Sequence, residues 1–139
     1  MKTIHYIRSV ASVSLGLLAL SAFAHEAGGP LTTEQKTYLK HYEAVRAGLA
    51  ADDLPVAKKA AATLAAAPQE KAANDAEAKR LATNLAASKK LAGAGSLSDA
   101  RDAFKILSRK AVHLAEGQTG YYRYICPHVA NDEGKWVEV

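Results

Sequence analysis

The sequence predicts a mainly α protein: an antiparallel four-helix bundle carrying a short C-terminal β-hairpin or extended tail. Three observations lead there. Alanine, the strongest helix former, dominates the stretch from Ala44 to Ala115. Within that stretch apolar residues recur at three- and four-residue spacing, interrupted by short polar turns. The aromatic residues then cluster after Gly120, where Tyr121, Tyr122, Tyr124 and Trp136 lie among β-formers rather than alanines.

The first helix is predicted from Thr32 to about Ala50. Thr32 and Gln35 form a capping-box pattern, and Tyr38, Tyr42, Val45 and Leu49 make the apolar stripe. A turn at Asp52-Asp53 leads into the second helix, which has Pro55 in its first turn. Its expected buried face is Val56, Ala60, Leu64 and Ala67, and Pro68 ends it. The third begins near Asn74, shows Ala78, Leu81, Leu85 and Ala92, and stops at Gly93 or Gly95. The fourth is capped by Ser96 with Asp99, or by Ser98. It repeats Leu97, Ala100, Phe104, Leu107, Ala111 and Leu114 before Gly117. Short connections between such stripes make an antiparallel bundle the simplest way to bury them. In the tail, Tyr121 to Cys126 is expected to pair with Trp136 to Val139 across a loop containing Asn131, Asp132 and Gly134.

The 139 residues divide into residues 1–24, a short extension at 25–31 and one helical domain at 32–139. The first segment reads as a cleavable signal peptide. Lys2 and Arg8 form its basic part, Val10 to Leu20 its apolar run, and Ala22-Phe23-Ala24 the cleavage site. Export to the periplasm is therefore expected. The apolar run is too short to span a bilayer and no second one follows, so no membrane span is expected. The formal net charge of +4 includes Lys2 and Arg8. The remaining basic residues alternate with acidic ones, with no stripe of the kind that nucleic-acid binding requires.

Candidate chemistry concentrates at Tyr124-Ile125-Cys126-Pro127-His128. Cys126 is the only cysteine. In an exported chain its thiol is free, metal-bound or paired with Cys126 of a second copy in a dimer. Pro127 biases Cys126 toward extended backbone, which brings positions 126 and 128 to the same side. Thiolate and imidazole suit Cu(I) with two ligands, whereas closed zinc sites need about four. His25 is a third candidate ligand, because cleavage after Ala24 gives it an α-amine beside its ring. The residues alone leave open that Cys126 is a small buried hydrophobe and His128 a surface residue. His41 and His113 read as helix-surface or half-buried residues. No enzyme is expected: there is no Cys-x-x-Cys, no orienting third group beside a Cys/His pair, and no Glu-x-x-His motif.

Four stretches form successive landmarks: Ala51-Asp52-Asp53-Leu54-Pro55-Val56-Ala57, Ala103-Phe104-Lys105-Ile106-Leu107-Ser108, Tyr122-Arg123-Tyr124-Ile125-Cys126-Pro127 and Gly134-Lys135-Trp136. Together they resemble an exported bacterial domain-of-unknown-function family, found alone or attached to adaptor proteins of Cus-type copper/silver efflux systems. The resemblance runs from about Leu31 to Val139, and an aromatic strand leading into Cys-Pro-Met is its most specific part. It implies a small periplasmic helical domain for heavy-metal handling, with the Cys-Pro element as the metal contact and an efflux adaptor or other envelope protein as partner. Here His128 stands where that family has Met, and no second cysteine follows Trp136. The expected cargo is Cu(I), with Zn or Ag as alternatives. The competing expectation is a metal-free interaction module that docks through Tyr121, Tyr122, Tyr124 and Trp136, since Tyr and Trp are enriched at interface hot spots.

Overall fold

The computed structural model describes residues 29–128 and 134–138. The expected signal peptide, His25, Asn131, Asp132 and Val139 lie outside those residues. Among the described residues the order is α1 (Thr33–Ala50), α2 (Leu54–Ala66), α3 (Asp75–Ala92), α4 (Leu97–Ala115), β1 (Tyr122–Ile125) and β2 (Lys135–Glu138).

Each helix starts where a side chain satisfies the otherwise unpaired first-turn amides. Thr32 and Gln35 close a reciprocal capping box, Asp53 accepts from the Val56 amide, Asn74 from Glu77 and Ser96 from Asp99. The α1–α2 turn is built by Asp52, a non-glycine residue at φ 56°. Its amide bonds back to the Leu49 carbonyl and that of Asp53 to Gly48, the paired bonds of a Schellman closure. Asp tolerates this left-handed backbone better than most side chains. Arg101 of α4 then donates to the Leu49 carbonyl at 3.0 Å and pairs with the Asp52 carboxylate. One guanidinium thus caps the end of α1 and fixes the start of α4 beside it.

That contact makes α1 and α4 antiparallel. Lys58, early in α2, donates to the Ala94 carbonyl just past the end of α3, so α2 and α3 also run in opposite directions. The core is Tyr38, Leu39, Tyr42, Val45 and Leu49 of α1 against Ala57, Ala61 and Leu64 of α2, Leu91 of α3 and Leu107, Ala111 and Leu114 of α4. Gly48 lets α1 and α2 approach closely, because a Cβ there would lie 2.7 Å from the Ala57 amide nitrogen.

The stripes expected for α1 and α4 are the observed ones, with Phe104 and Leu97 half-buried. Two other faces differ. Helix α2 buries Ala57, Ala61 and Leu64, while Val56 is half exposed and Ala60 and Ala67 are only partly covered. Helix α3 buries Ala87, Ser88 and Leu91; Ala78 is exposed and Leu81, Leu85 and Ala92 are half-buried. Alanine is the reason for the shift in α2. A one-residue rotation of an Ala-rich helix changes the buried apolar area little, so the close α1–α2 crossing at Gly48 selects the face instead.

Polar ties hold the interior in register. The Tyr38 hydroxyl donates toward the Leu107 carbonyl at 2.9 Å, with Asn84 Oδ1 at 3.2 Å. Lys110 lies 4.3 Å from the Tyr38 ring centroid and 2.7 Å from Glu70 Oε1, and Gln35 donates to Glu70 Oε2 at 3.0 Å. Residue 70 belongs to the α2–α3 connection, so this ion pair draws that connection against α1 and α4.

Candidate functional site

The hairpin follows Gly117 and Gly120, both at positive φ, which turn the chain back from the end of α4. Strands β1 and β2 pair antiparallel, with Tyr122 opposite Glu138, Arg123 opposite Val137, Tyr124 opposite Trp136 and Ile125 opposite Lys135. The Cys126 amide donates to the Gly134 carbonyl at 2.8 Å, carrying the pairing one residue beyond β1. Antiparallel ladders alternate bonded and non-bonded pairs. Tyr122–Glu138 and Tyr124–Trp136 are therefore the bonded pairs, and the amides of Arg123, Ile125 and Val137 point away from the ladder. The Val137 amide confirms the phase, since it donates at 3.3 Å to the Tyr42 hydroxyl.

The two strands live in different environments. Val137 is fully buried, and β2 packs along α4. Glu138 accepts from Arg46 of α1 at 3.0 Å and from the Trp136 indole at 3.3 Å. Strand β1 touches the bundle at α4, and all four of its residues are exposed. Tyr122, Tyr124 and Ile125 are 64 %, 43 % and 57 % exposed, and Tyr124 stacks on Trp136 with ring centroids 5.6 Å apart.

The expected interaction residues thus divide. Tyr122 and Tyr124 face solvent, Trp136 is half-buried beneath Tyr124, and Tyr121 packs against the core at the end of the bundle. Tyr121 closes the bundle rather than joining the exposed strand. Of the expected metal ligands, Cys126 is half-buried at the exit of β1 and His128 is exposed. The strand ends at Ile125, and Pro127 and His128 lie in a turn, so strand alternation does not carry through to His128. His41 is half-buried on α1 and His113 exposed on α4. Among the described residues no group of three or more His, Cys, Asp or Glu side chains lies together as a metal cage.

Sequence reasoning did not anticipate an open groove of about 390 Å³ between α1, α4 and β2. Arg46, Arg101, Phe104, Lys105, Lys135 and Trp136 are among its lining residues. Its cations are largely compensated: Arg46 pairs with Glu43 and Glu138, Arg101 with Asp52, and Lys105 with Asp102. Hydrogen bonding to Glu43 is the main reason that Arg46 holds its proton more tightly than an ordinary arginine. Arg46–Glu43 and Lys105–Asp102 are i,i+3 pairs within a helix, whereas Arg46–Glu138 and Arg101–Asp52 join distant elements and leave no periodic or spacing signal in the sequence.

Among the described residues no helix is long and apolar enough to cross a membrane. No family model, curated protein or solved structure matches the chain.

Proposed function

We propose that the protein is a periplasmic accessory that carries a soft metal ion, Cu(I) first among them, and passes it to an efflux system. The observation that carries this reading is the position of Cys126. The only thiol of the chain stands at the exit of the exposed strand, held by its amide to Gly134, with the exposed His128 just beyond Pro127. Two ligands of this kind satisfy Cu(I) or Ag(I), whereas a structural zinc site would need about four. A low-coordinate ion at a protein's edge leaves room for an incoming ligand, which is what cargo transfer requires. The likeness of the Tyr122–Pro127 and Gly134–Trp136 stretches to the metal-associated family supports the same reading. His25 would add a third ligand if the chain is processed after Ala24.

Anaerobic titration of the purified chain with Cu(I) against a competing colorimetric chelator tests the proposal, with Cys126→Ser and His128→Ala measured alongside. Stoichiometric binding lost in Cys126→Ser and weakened in His128→Ala is the expected result. A chain that never withdraws Cu(I) from the chelator overturns it. N-terminal sequencing of the exported protein tests His25 separately.

A second reading, a docking module of the cell envelope, is favoured by one observation: three of the four large hydrophobic residues exposed among the described residues lie on β1. The experiment is cross-linking in the intact envelope. The reading requires Tyr122→Ala with Tyr124→Ala to abolish a cross-linked species, and fails if every species survives.

A further inference from the structure

We infer that β1 is a self-pairing edge, through which two copies of the chain join by antiparallel β1–β1 contact into one four-stranded sheet. The inference sharpens the docking reading of β1 by naming its occupant, and it is independent of metal binding.

The two outer edges of the hairpin are treated differently. On β2 the outward Val137 amide is taken by the Tyr42 hydroxyl. On β1 the outward main-chain groups belong to Arg123 and Ile125, and neither residue's amide or carbonyl bonds to another group among the described residues. An uncovered strand edge is a template for another strand, and natural proteins usually blunt or cover it. Here it also carries exposed Tyr122, Tyr124 and Ile125.

A second copy fits this edge in one register. A two-fold arrangement must join outward-pointing residues, so the candidate pairs are Arg123 with Arg123, Arg123 with Ile125, or Ile125 with Ile125. The first sets like charges face to face and recruits Tyr121, which is packed against the core. The last places Pro127 opposite Arg123, where proline has no N–H to give. Pairing Arg123 with Ile125 of the second copy uses every outward group of β1 and keeps the two arginines apart. It also sets Tyr124 directly opposite its counterpart. The Trp136–Tyr124 stack of each hairpin then becomes one aromatic row of four rings across the sheet.

Sedimentation equilibrium of the purified chain from about 1 µM to about 1 mM, in reductant so that no Cys126–Cys126 bond contributes, tests this pairing. A reversible dimer is expected. Arg123→Pro removes an outward amide without touching the ladder to β2, and should weaken the dimer by about tenfold or more. Ile125→Lys sets a cation against Arg123 of the other copy and should weaken it, whereas Ile125→Glu should preserve or tighten it. Trp136 fluorescence reports whether the hairpin is intact in each variant. If Arg123→Pro disturbs it, the two substitutions at exposed Ile125 decide. A monomer at every concentration overturns the inference, as does a dimer indifferent to the sign of charge at 125. Either result leaves the docking reading standing on its own cross-linking experiment.

Discussion

The α1–α4 side of the bundle and the α2–α3 side are built from different material. Between α1 and α4 lie Tyr38, Tyr42, Phe104 and Leu107, and the aromatic rings form a continuous stack, Tyr38 to Tyr42 at 6.4 Å and Tyr42 to Phe104 at 5.1 Å. Opposite them, α2 and α3 bury Ala57, Ala61, Leu64, Ala87 and Leu91. Large rings bring apolar area but also hydroxyls that must find partners, whereas alanines bring close approach and little else. The only β structure among the described residues sits on the aromatic side, where the Tyr42 hydroxyl is available to its backbone. The small-residue side keeps the bundle narrow; the large-residue side gives the hairpin a place to attach.

Substitutions of opposite kinds should break the two sides. Leu107→Ala opens a hole beneath the aromatic stack at a fully buried position and should cost about 2–5 kcal/mol in denaturant unfolding. Gly48→Val does the reverse. Its Cβ would meet the Ala57 amide nitrogen at 2.7 Å and Cα at 2.9 Å, both backbone atoms that cannot swing aside. Overpacking of this kind should cost about 3 kcal/mol, measured by the same unfolding curves. A small loss in Gly48→Val would mean that α2 slides freely on α1, and that close packing does not hold this side together.

Tyr42→Phe keeps the ring stack and removes only the hydroxyl, separating packing from attachment. It leaves the Val137 amide and Ser108 without their partner and should cost about 1 kcal/mol. The same variant has a pH signature. Burial is the main cause that raises the Tyr42 hydroxyl pKa, opposed by hydrogen bonds from Ser108 and Val137, and burial raises Tyr38 further. The folded chain therefore holds these protons more tightly than the unfolded chain. This stability is fully present below the ordinary tyrosine value of about 10 and is lost as pH rises through the folded values. Melting curves across that range should show a decline, shallower in Tyr42→Phe than in the parent.

What was legible in the sequence follows from how local each signal is. Every helix start was readable, because Thr32, Asp53, Asn74 and Ser96 act on amides only three residues away. The hairpin was readable from its β-formers and from the turn residues between them. The buried face of α2 was not, because Ala57 and Ala60 differ in neither size nor polarity. Arg101 on the Leu49 carbonyl and Glu70 between Gln35 and Lys110 join residues far apart in sequence, and such ties carry no spacing rule. At the candidate site, the chemistry of Cys126 and His128 was visible as residue types. Their geometry was not, because the strand stops at Ile125 and the turn at Pro127 sets the direction beyond it.

The smallest predicted effect tests the corrected face of α2. Val56 is the first large aliphatic residue after Pro55, and hydrophobic patterning assigns it to the interior; in the fold it is 50 % exposed while its neighbour Ala57 is fully buried. Val56→Ala removes two methyl groups that face mostly water and replaces a β-branched residue with a stronger helix former. The two effects oppose each other, and stability should change by less than about 0.5 kcal/mol. Leu64→Ala, two turns on and 2 % exposed, should cost about 2–5 kcal/mol by comparison. Equal losses at both positions would rotate α2 back to the face that patterning prefers. It would also remove Ala57 from the Gly48 crossing, and with it the reason the alanine side can be so narrow.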